Sequence, residues 1–492
     1  MINGTYFILR AGFLRRRLLF GIGSLSAFTA AALFSGQTER NLSGDHACRS
    51  CAPVCYPGRV PFGYIAGVRE AWVASYSGVF DDEPTAMAVD GSGNVYVTGY
   101  TAIPDYSAYV TIKYNPQGHQ EWSVGYNPPN GASSAAAIAI DHSGNVYVTG
   151  TSGTYGSADP DYVTIKYDNS GQQQWIAQYN GGVSFDDGAT AIAVDASGNV
   201  YVTGHSGSLS SDYATIKYDS SGQQQWVARY NGPGNGDDYP VAVAVDALGD
   251  VYVTGSSPGS GTGTDYATIK YDNAGQQQWV ARYVGSGIGD QPAGMTIDRS
   301  GSVYVTGTSW GSRRISVSEY ATIKYNNSGE QQWVARYNGP GNGSEATGIG
   351  IDGSDNVYVT GGSLGSDDIS DYATIKYNST GQQQWASRYR APDSIGDFAT
   401  AIAVSSSGNV YVTGQSSGDY GTIKYNSLGQ EQWVERYNGP QGFDDYARAI
   451  ALDRRENVYV TGAIHQSEFQ YDWDFATVKY TPERIPLPQP RP

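Results

Sequence analysis

The sequence predicts an all-β fold, an eight-bladed β-propeller of four-stranded blades, on three observations. The 492 residues include 64 Gly and 40 Tyr but only 3 Met, and Tyr and β-branched residues favour strands while Gly favours turns. One unit of about 50 residues recurs eight times between residues 71 and 480. Each unit contains four short segments rich in Val, Ile, Thr and Tyr, which is the strand content of one blade.

Three markers keep the same order in every unit. A block of the form DYATIKY follows the pentapeptide VYVTG, which begins at Val95, Val146, Val200, Val251, Val303, Val357, Val410 and Val458. The tryptophan of GQQQWVARY recurs as Trp72, Trp122, Trp175, Trp226, Trp279, Trp333, Trp385 and Trp433. Because these tryptophans have the same context in all units, we interpret them as packing residues.

The phase of the repeat predicts how the ring closes. In the third unit the four predicted strands are 191–195, 199–204, 212–218 and 223–230. The first unit opens with the Trp segment 71–76, and the last unit ends with 475–480. Pairing of 71–76 with 475–480 would let the N-terminal strand complete the last blade. A closed ring of this kind leaves no exposed strand edge at its ends.

The remaining segments have a different composition. Residues 1–36 carry Arg10, Arg15, Arg16 and Arg17 ahead of the apolar run 18–34, the layout of a signal peptide for the general secretory or the twin-arginine route. A retained signal anchor is the alternative. We expect cleavage, no transmembrane domain afterwards, and a secreted, periplasmic or cell-surface protein. A linker at 37–70 and a Pro-rich tail at 481–492 flank the propeller at 71–480.

All three cysteines, Cys48, Cys51 and Cys55, lie in the linker close to His46. In an exported protein this spacing favours one local disulfide and one thiol. Binding of zinc or an iron–sulfur cluster by the same side chains is the alternative.

The charge excludes one class of partner. The net charge is −17 at pH 7, whereas nucleic-acid binding needs a basic surface to neutralise phosphates. We therefore expect no nucleic-acid partner. We also expect the propeller to be monomeric.

Loop lengths separate two faces of the predicted propeller. The turn from the first to the second strand and the turn from the third to the fourth strand keep a constant length in all units, with sequences such as DASGN and DNSGQ that form tight turns. The loop from VYVTG to the third strand varies in length. We call the first face the constant-turn face and the second the variable-loop face, where binding is expected because loops vary while their supports do not.

A recurrent acidic position precedes the first strand of a unit, on the variable-loop face. It comprises Asp81 and Asp82, Asp186 and Asp187, Asp237 and Asp238, Asp290, Glu345, Asp397, and Asp444 and Asp445, and it is absent from the second unit. A ring of carboxylates could bind Ca²⁺, which prefers several oxygen ligands. The candidate ligands are Asp82, Asp187, Asp238, Asp290, Asp397 and Asp445. The alternative is that each Asp caps its own loop.

Aromatic residues also occur in the variable loops. They are Tyr100, Tyr106, Tyr155, Trp310, Phe469, Tyr471 and Trp473. Those of blades 8, 1 and 2 are consecutive around a closed ring and could form one patch that binds a glycan or a protein at the cell surface or in the matrix. The alternative is that they cover their own loops.

The SGNVYVTG and DYATIKY blocks resemble the secreted bacterial β-propeller repeats known as SBBP repeats, over residues 71–480. The resemblance implies an exported propeller and no particular reaction, and the family is named for seven blades rather than eight. The string YDxxGQQQW is also similar to the tryptophan motif of eight-bladed quinoprotein propellers.

We find no catalytic constellation in the sequence. His205 and His465 are the histidines in variable loops, and they belong to blades three steps apart, too far for a nucleophile–base pair. No GxSxG, HExxH or P-loop motif is present. We therefore expect a binding module without a catalytic residue or cofactor, other than Ca²⁺ at the carboxylates. A quinoprotein dehydrogenase-like or streptogramin-lyase-like enzyme is the alternative.

Overall fold

The structure, a computed structural model, describes residues 64–486 except residues 79, 104–105, 129–130, 155–159, 183–185, 208–209, 286, 288, 312–316, 393 and 467–471. The predicted signal at 1–36, the three cysteines and residues 487–492 lie outside the described residues. Among the described residues, no helix is long and apolar enough to span a membrane.

The described chain folds into β-strands, as the alternation of apolar and polar residues predicts. In the third unit, the predicted second, third and fourth strands agree with the observed ones within three residues at each end. The first strand is longer than predicted, because it begins at Asp186 rather than at residue 191 and therefore includes the acidic position. The strands of the first half are β1 (Tyr64–Tyr76), β2 (Asp82–Val89), β3 (Val95–Ile103), β4 (Tyr106–Tyr114), β5 (Gln120–Tyr126), β6 (Gly131–Ile140), β7 (Val146–Thr154), β8 (Asp161–Tyr167), β9 (Gln173–Tyr179), β10 (Asp186–Val194), β11 (Val200–Gly207), β12 (Asp212–Tyr218), β13 (Gln224–Tyr230), β14 (Tyr239–Val245), β15 (Val251–Gly259), β16 (Gly263–Tyr271) and β17 (Gln277–Tyr283).

The second half continues in the same pattern. Its strands are β18 (Gly289–Ile297), β19 (Val303–Trp310), β20 (Ser318–Tyr325), β21 (Gln331–Tyr337), β22 (Ser344–Ile351), β23 (Val357–Leu364), β24 (Ser370–Tyr377), β25 (Gln383–Tyr389), β26 (Asp397–Val404), β27 (Val410–Ser416), β28 (Asp419–Tyr425), β29 (Glu431–Tyr437), β30 (Tyr446–Leu452), β31 (Val458–His465) and β32 (Trp473–Pro486).

The strands pair antiparallel in sets of four. Set 1 is β2–β5, and sets 2 to 7 follow in chain order, each running from an inner first strand to an outer fourth strand. Sets 4 and 5 are joined into one eight-stranded sheet by a single parallel pair, Thr264 with Gly289. Set 8 has the order β30, β31, β32, β1, so its fourth strand comes from the N-terminal end of the described chain.

β1 pairs with β32 over its whole length. Val73 lies opposite Val478, and the pairing continues beyond the expected 71–76 to Tyr64 opposite Pro486. Trp72 of β1 then packs on set 1, where its indole N–H donates to the carbonyl oxygen of Pro116 at 3.1 Å. The N-terminal strand therefore completes set 8 and also contacts set 1.

The core consists of apolar layers between successive sets. In one layer, Tyr201 and Tyr213 of set 3 pack on Val251, Val253 and Ile269 of set 4, and all five are fully buried. Burial of a side chain such as Ile269 contributes about 1.5–3 kcal/mol. A corresponding layer lies between set 8 and set 1, where Tyr459 and Phe475 meet Met87. Each set therefore buries both of its faces against its neighbours.

A β-bulge interrupts the first strand of every set, and in five sets the bulge residue contacts the next set. The bulge residue in set 1 is Thr85, whose hydroxyl donates to the carbonyl oxygen of Ala135 in set 2 at 2.9 Å. Thr190, Thr347 and Thr400 make the same bond to the next set. In set 8 the bulge residue is Arg448, and its Nη2 lies 3.4 Å from Oε2 of Glu83 in set 1. We call the boundary between set 8 and set 1 the seam.

Candidate functional site

The constant-turn face is stabilised by an aspartate in almost every set. In set 2, Oδ1 of Asp141 accepts the backbone N–H groups of Ser143 and Asn145, both at 2.9 Å, and its Oδ2 accepts the hydroxyl of Tyr147 at 2.9 Å. Gly144 closes the turn at a φ of 78°, a conformation that favours glycine. These residues hold the turn.

The repeated tryptophans dock on the constant turn of the next set. The indole N–H of Trp226 donates to the carbonyl oxygen of Asn273 at 3.1 Å, and the ring covers Gly275, where a Cβ would lie 2.7 Å from the indole. Seven of the eight tryptophans make this bond to the next set. The expectation that they are packing residues agrees with these contacts.

The six predicted calcium ligands are buried on the variable-loop side of their sets. Oδ2 of Asp187, for example, accepts the backbone N–H of Gly181 at 2.6 Å, in the loop that leads into the strand. The others accept the corresponding N–H from the loop before them: Asp82 from Gly78, Asp238 from Gly232, Asp290 from Gly285, Asp397 from Ala391 and Asp445 from Gly439. Exposure of the six residues is 2% or less.

These contacts match the alternative in which each Asp caps its own loop. Among the described residues, no three His, Cys, Asp or Glu side chains are grouped so that they could hold a metal ion. The six carboxylates lie in six different sets and bind backbone amides, so they do not form one shared set of ligands. Calcium binding at this position stays a prediction.

Glu345 was expected at the acidic position of the sixth unit, and this was wrong. The register places Ser344 there, because Ser344 pairs with Ser363 as Asp397 pairs with Ser416. The hydroxyl of Ser344 accepts the N–H of Gly339 at 3.0 Å. Glu345 lies one residue further along, and one step along a strand turns a side chain to the other face of the sheet.

An arginine on the outer strand braces the variable-loop end of sets 3 to 7. In set 4, Nη1 of Arg282 donates to Oγ of Ser257 at 2.7 Å, and Nη2 donates to Asp265 at 3.0 Å. Nη1 also reaches the hydroxyl of Tyr230 in set 3 at 2.9 Å. The same position is held by Arg229, Arg336, Arg388 and Arg436.

The two sets at the seam lack this arginine. The register places Gly125 at the arginine position in set 1 and Ser75 in set 8. Burial raises the pKa of Asp82 to about 6 and the pKa of Asp445 to about 6. Burial also raises the pKa of Asp238, but there the charge of Arg282 opposes the rise. The seam therefore contains two buried carboxyls whose own sets lack the outer-strand arginine.

The predicted aromatic patch is described in part. Tyr155, Phe469 and Tyr471 lie outside the described residues, as does the side chain of Tyr106. Trp310 ends β19 in set 5, opposite Gly289, and does not belong to the seam.

Tyr100 and Trp473 lie on the two sides of the seam. Tyr100 is in set 1, pairs with Tyr109 and lies opposite Glu83. Burial and then the charge of Glu83 raise the pKa of Tyr100. Trp473 begins β32 in set 8, and its backbone N–H donates to Asp81 at 3.4 Å.

Trp473 is the centre of an aromatic cluster. Its ring stacks on His465 with a centroid distance of 4.5 Å and an interplanar angle of 18°. Phe443 meets His465 edge-on at 5.4 Å, and Tyr446 lies 5.4 Å from Trp473. All four side chains are partly exposed. We call Phe443, Tyr446, His465 and Trp473 the seam cluster.

Asp445 connects the buried acidic position to this cluster. Its Oδ1 accepts the backbone N–H of His465 at 3.1 Å, while its Oδ2 accepts the N–H of Gly439 at 2.5 Å. The carboxylate therefore fixes the strand end that carries His465 under the ring of Trp473.

Sequence reasoning missed Phe443 and Tyr446, and it considered His465 only as a catalytic candidate. One signal was available. Tyr446 follows an Asp of the acidic position, where the other sets have Glu83, Ser134, Gly188, Tyr239, Gln291, Glu345 and Phe398. This position differs in almost every set, whereas its neighbours in the strand are repeated.

His205, the second histidine in a variable loop, lies between sets 3 and 4. Its ring meets Tyr239 edge-on at 5.4 Å, and its Nε2 lies 3.8 Å from Oδ1 of Asp186. Burial lowers the pKa of His205. His205 and His465 thus occupy separate aromatic contacts rather than one shared site.

Five segments of the chain match the sequence profile of the SBBP family, described as a beta-propeller repeat. They are residues 76–106, 225–261, 278–312, 332–367 and 393–421. These five segments are SBBP-type beta-propeller repeats, consistent with an SBBP-type repeat protein.

One relative matches part of this chain in sequence. The regulatory protein FlaEY of Caulobacter vibrioides is 26% identical over 220 residues, which are 39% of this chain and 22% of that protein. The match therefore spans about a fifth of the length of that relative.

Among solved structures, Sqt1 from Chaetomium thermophilum superimposes with a TM-score of 0.53 at 10% identity, over 85% of this chain and 100% of that chain. The β-propeller domain of the Trilobed protease from Pyrococcus furiosus has a TM-score of 0.41 at 8% identity, over 67% of this chain and 91% of that chain. The likeness to Sqt1 supports a propeller fold for the SBBP repeats.

Proposed function

We propose that this chain is an exported, closed eight-bladed β-propeller that acts as a binding module without catalytic activity. Its contact surface is the variable-loop face, and its partner is a glycan or a protein at the cell surface or in the matrix. The export signal read from residues 1–36 supports the location.

Contacts at the seam support closure with eight blades. β1 completes set 8, the layer around Tyr459 and Phe475 packs set 8 on set 1, and Arg448 of set 8 reaches Glu83 of set 1. The earlier sets pack on their successors through the same kind of apolar layer, and sets 1, 3, 6 and 7 also make a bond from the bulge residue. The eighth set therefore fits between set 7 and set 1 as a blade.

The seam cluster is the observation that carries the binding function. In a chain of nearly identical sets, most aromatic side chains repeat from set to set and pack between them. Trp473 does not repeat, because the same register position holds Gly418 in set 7 and Ser107 in set 1. A stacked, partly exposed Trp–His pair on the loop side of a rigid frame is the type of surface that binding sites use.

The arrangement of the described side chains supports a binder over an enzyme. His465 is stacked under Trp473, and His205 lies in another boundary beside Tyr239. Catalysis needs a base, a nucleophile or a metal that converge on one point. The described residues contain no cysteine, and none of their acidic and histidine side chains group into a metal site.

The test is a binding screen with the full chain on glycan and matrix-protein arrays. We expect Trp473→Ala combined with Tyr446→Ala to weaken binding by about tenfold or more, because aromatic anchors dominate such contacts. Leu248→Ala is the matched control, since Leu248 is an apolar side chain with 75% exposure on the constant-turn face. The proposal fails if the control abolishes binding while the seam variant binds normally.

A separate measurement addresses catalysis. Incubation with pyrroloquinoline quinone and Ca²⁺, followed by removal of free cofactor, is expected to leave no bound chromophore. A stoichiometric chromophore would overturn the non-enzymatic assignment in favour of a quinoprotein.

A further inference from the structure

We propose that the seam cluster binds a positively charged side chain, so that the partner is a basic segment of another protein rather than a neutral glycan. This inference rests on the proposed function and names the chemistry of its partner.

The rings of the seam cluster provide surfaces that attract a cation. Indole and phenol faces carry the negative part of the ring quadrupole, and a Lys or Arg group within about 6 Å of such a face is attracted to it. Tyr446 lies at an interplanar angle of 50° to Trp473, and Phe443 at 63° to His465. Tyr446 and Phe443 are therefore inclined to the stacked Trp473–His465 pair, and none of the four side chains is fully buried.

Acidic residues lie close to the cluster residues in the chain and across the seam. Asp444 is exposed and lies between Phe443 and Tyr446 in the sequence, and Asp472 precedes Trp473. On the other side of the seam, Asp81 accepts the backbone N–H of Trp473. Asp444, whose charge acts on Tyr446, and Asp81, which contacts the backbone of Trp473, therefore bring negative charge to the cluster.

The effect of these carboxylates is visible in their neighbours. The charge of Asp444 contributes to the raised pKa of Tyr446 and to that of Asp445, with burial as the larger cause in both. The charge of Asp472 likewise adds to the effect of burial in raising the pKa of Asp474. A group whose pKa is raised by nearby negative charge lies in a negative potential. A cationic ligand would make that potential less negative, and a neutral ligand would not.

The nearby arginines already have acidic partners. Arg448 lies 3.4 Å from Glu83, and Arg436 lies 2.8 Å from Asp419. The charge of Arg448 opposes that of Asp444 at Tyr446, while the chain as a whole carries a surplus of negative charge, with a net charge of −17.

A neutral sugar could stack on Trp473 but would gain nothing from this surplus. A Lys or Arg side chain would gain from both the ring faces and the carboxylates. Association with a basic segment would also be accelerated by the overall acidic charge. The combination of rings and carboxylates therefore favours a basic peptide segment.

The test compares two probes on the full chain by fluorescence titration. The first is a fluorescein-labelled nine-residue peptide of alternating Arg and Gly, and the second is neutral cellohexaose. We expect the peptide to bind and the sugar to bind at least tenfold more weakly. Trp473→Ala keeps all the charges and is expected to weaken peptide binding about tenfold, in line with a desolvated cation–π contact. Trp473→Phe should retain most of the affinity.

A second variant separates charge from ring. Asp444→Asn with Asp472→Asn is expected to weaken peptide binding and to reduce its dependence on salt, while Leu248→Ala changes neither. Equal peptide binding by wild type and Trp473→Ala would overturn the inference, since it would show attraction to the acidic surface as a whole. Binding of cellohexaose at the seam in place of the peptide would also overturn it, while leaving the proposed binding function intact. If the wild-type protein bound neither the peptide nor cellohexaose, the result would count against the proposed binding function itself.

Discussion

Glu456 supplies to set 7 the carboxylate that Ser405 cannot supply. In set 6, Oδ2 of Asp352 accepts the hydroxyl of Tyr358 at 2.8 Å. Set 7 has Ser405 in place of that aspartate, and the hydroxyl of Tyr411 donates instead to Oε2 of Glu456, at 2.7 Å, from the constant turn of set 8. Glu456 has a φ of 58°, where most sets have glycine.

This exchange predicts a compensating pair of substitutions. Glu456→Gln removes the charge that accepts from Tyr411 and should lower the free energy of unfolding by about 1–2 kcal/mol. Ser405→Asp with Glu456→Gly restores the arrangement of the other sets and should be at least as stable as wild type. A double-mutant cycle of urea unfolding measures the coupling between the two residues. Its four proteins are wild type, Ser405→Asp, Glu456→Gly and the double variant. If Ser405→Asp stabilises wild type as much as it stabilises Glu456→Gly, the two residues do not compensate.

The glycine under each docked tryptophan should be irreplaceable for two separable reasons. Gly275 has a φ of 79° and lies under Trp226, whereas Gly261 has a φ of 86° and no atom within 4 Å of its Cβ position. Gly261→Ala therefore measures backbone strain alone, about 1 kcal/mol. Gly275→Ala adds displacement of the indole, about 1–3 kcal/mol more. Equal effects of the two variants on thermal unfolding would show that the indole moves freely.

The buried carboxyls at the seam predict that mild acid stabilises the fold. Burial raises the pKa of Asp82 and of Asp445 from 3.8 to about 6, so the folded state binds these protons more tightly than the unfolded state. The free energy of unfolding contributed by these groups therefore rises as pH falls from 7 through 6, and it levels off below about 4. Each carboxyl accounts for about 2–3 kcal/mol over that window.

Neutral substitutions check this prediction. Asp82→Asn with Asp445→Asn should be more stable than wild type at pH 7, and the difference should shrink by pH 5. Asp367→Asn is a control of opposite sign, because hydrogen bonds from Arg390 hold the pKa of Asp367 low. It should be less stable than wild type at pH 7 and equal to it in strong acid. A pH-independent difference between wild type and the double variant would contradict the assignment.

The pairing of β1 with β32 predicts a sharp boundary for N-terminal truncation. Removal of residues 1–63 leaves every described strand in place and should not change the melting temperature. Removal of residues 1–76 exposes the edge of β32 and deletes Trp72, which should cost about 3 kcal/mol or more and promote association through the open edge. A synthetic peptide of residues 64–76 should restore stability to the shorter chain. Equal melting temperatures of the two truncations would show that β1 does not hold the seam.

The sequence by itself determined the elements that depend on local chemistry and on repetition. The repeated strands, the tight Asp and Gly turns, the packing role of the tryptophans and the pairing of 71–76 with 475–480 all follow from short motifs and their spacing. Each of these features needs only the residues within one unit, or the count of units along the chain.

The tertiary structure decided where the polar side chains of the inner strands point. The first strand of a set begins earlier than the alternation of its apolar and polar residues suggests. It also contains a bulge that shifts the register by one residue, as at Arg448 in β30. One residue of shift reverses the face of a side chain. The acidic side chains are therefore buried on loop amides, and Ser344 rather than Glu345 occupies their position.

The seam cluster likewise exists only in the folded chain. Phe443 lies in the loop before β30, Tyr446 begins β30, His465 ends β31, and Trp473 begins β32. These positions meet because antiparallel pairing sets His465 opposite Trp473 and because set 8 packs between set 7 and set 1. The sequence alone does not show that these four side chains contact one another. Their contacts depend on the register and packing of strands, which the whole assembly of sheets sets.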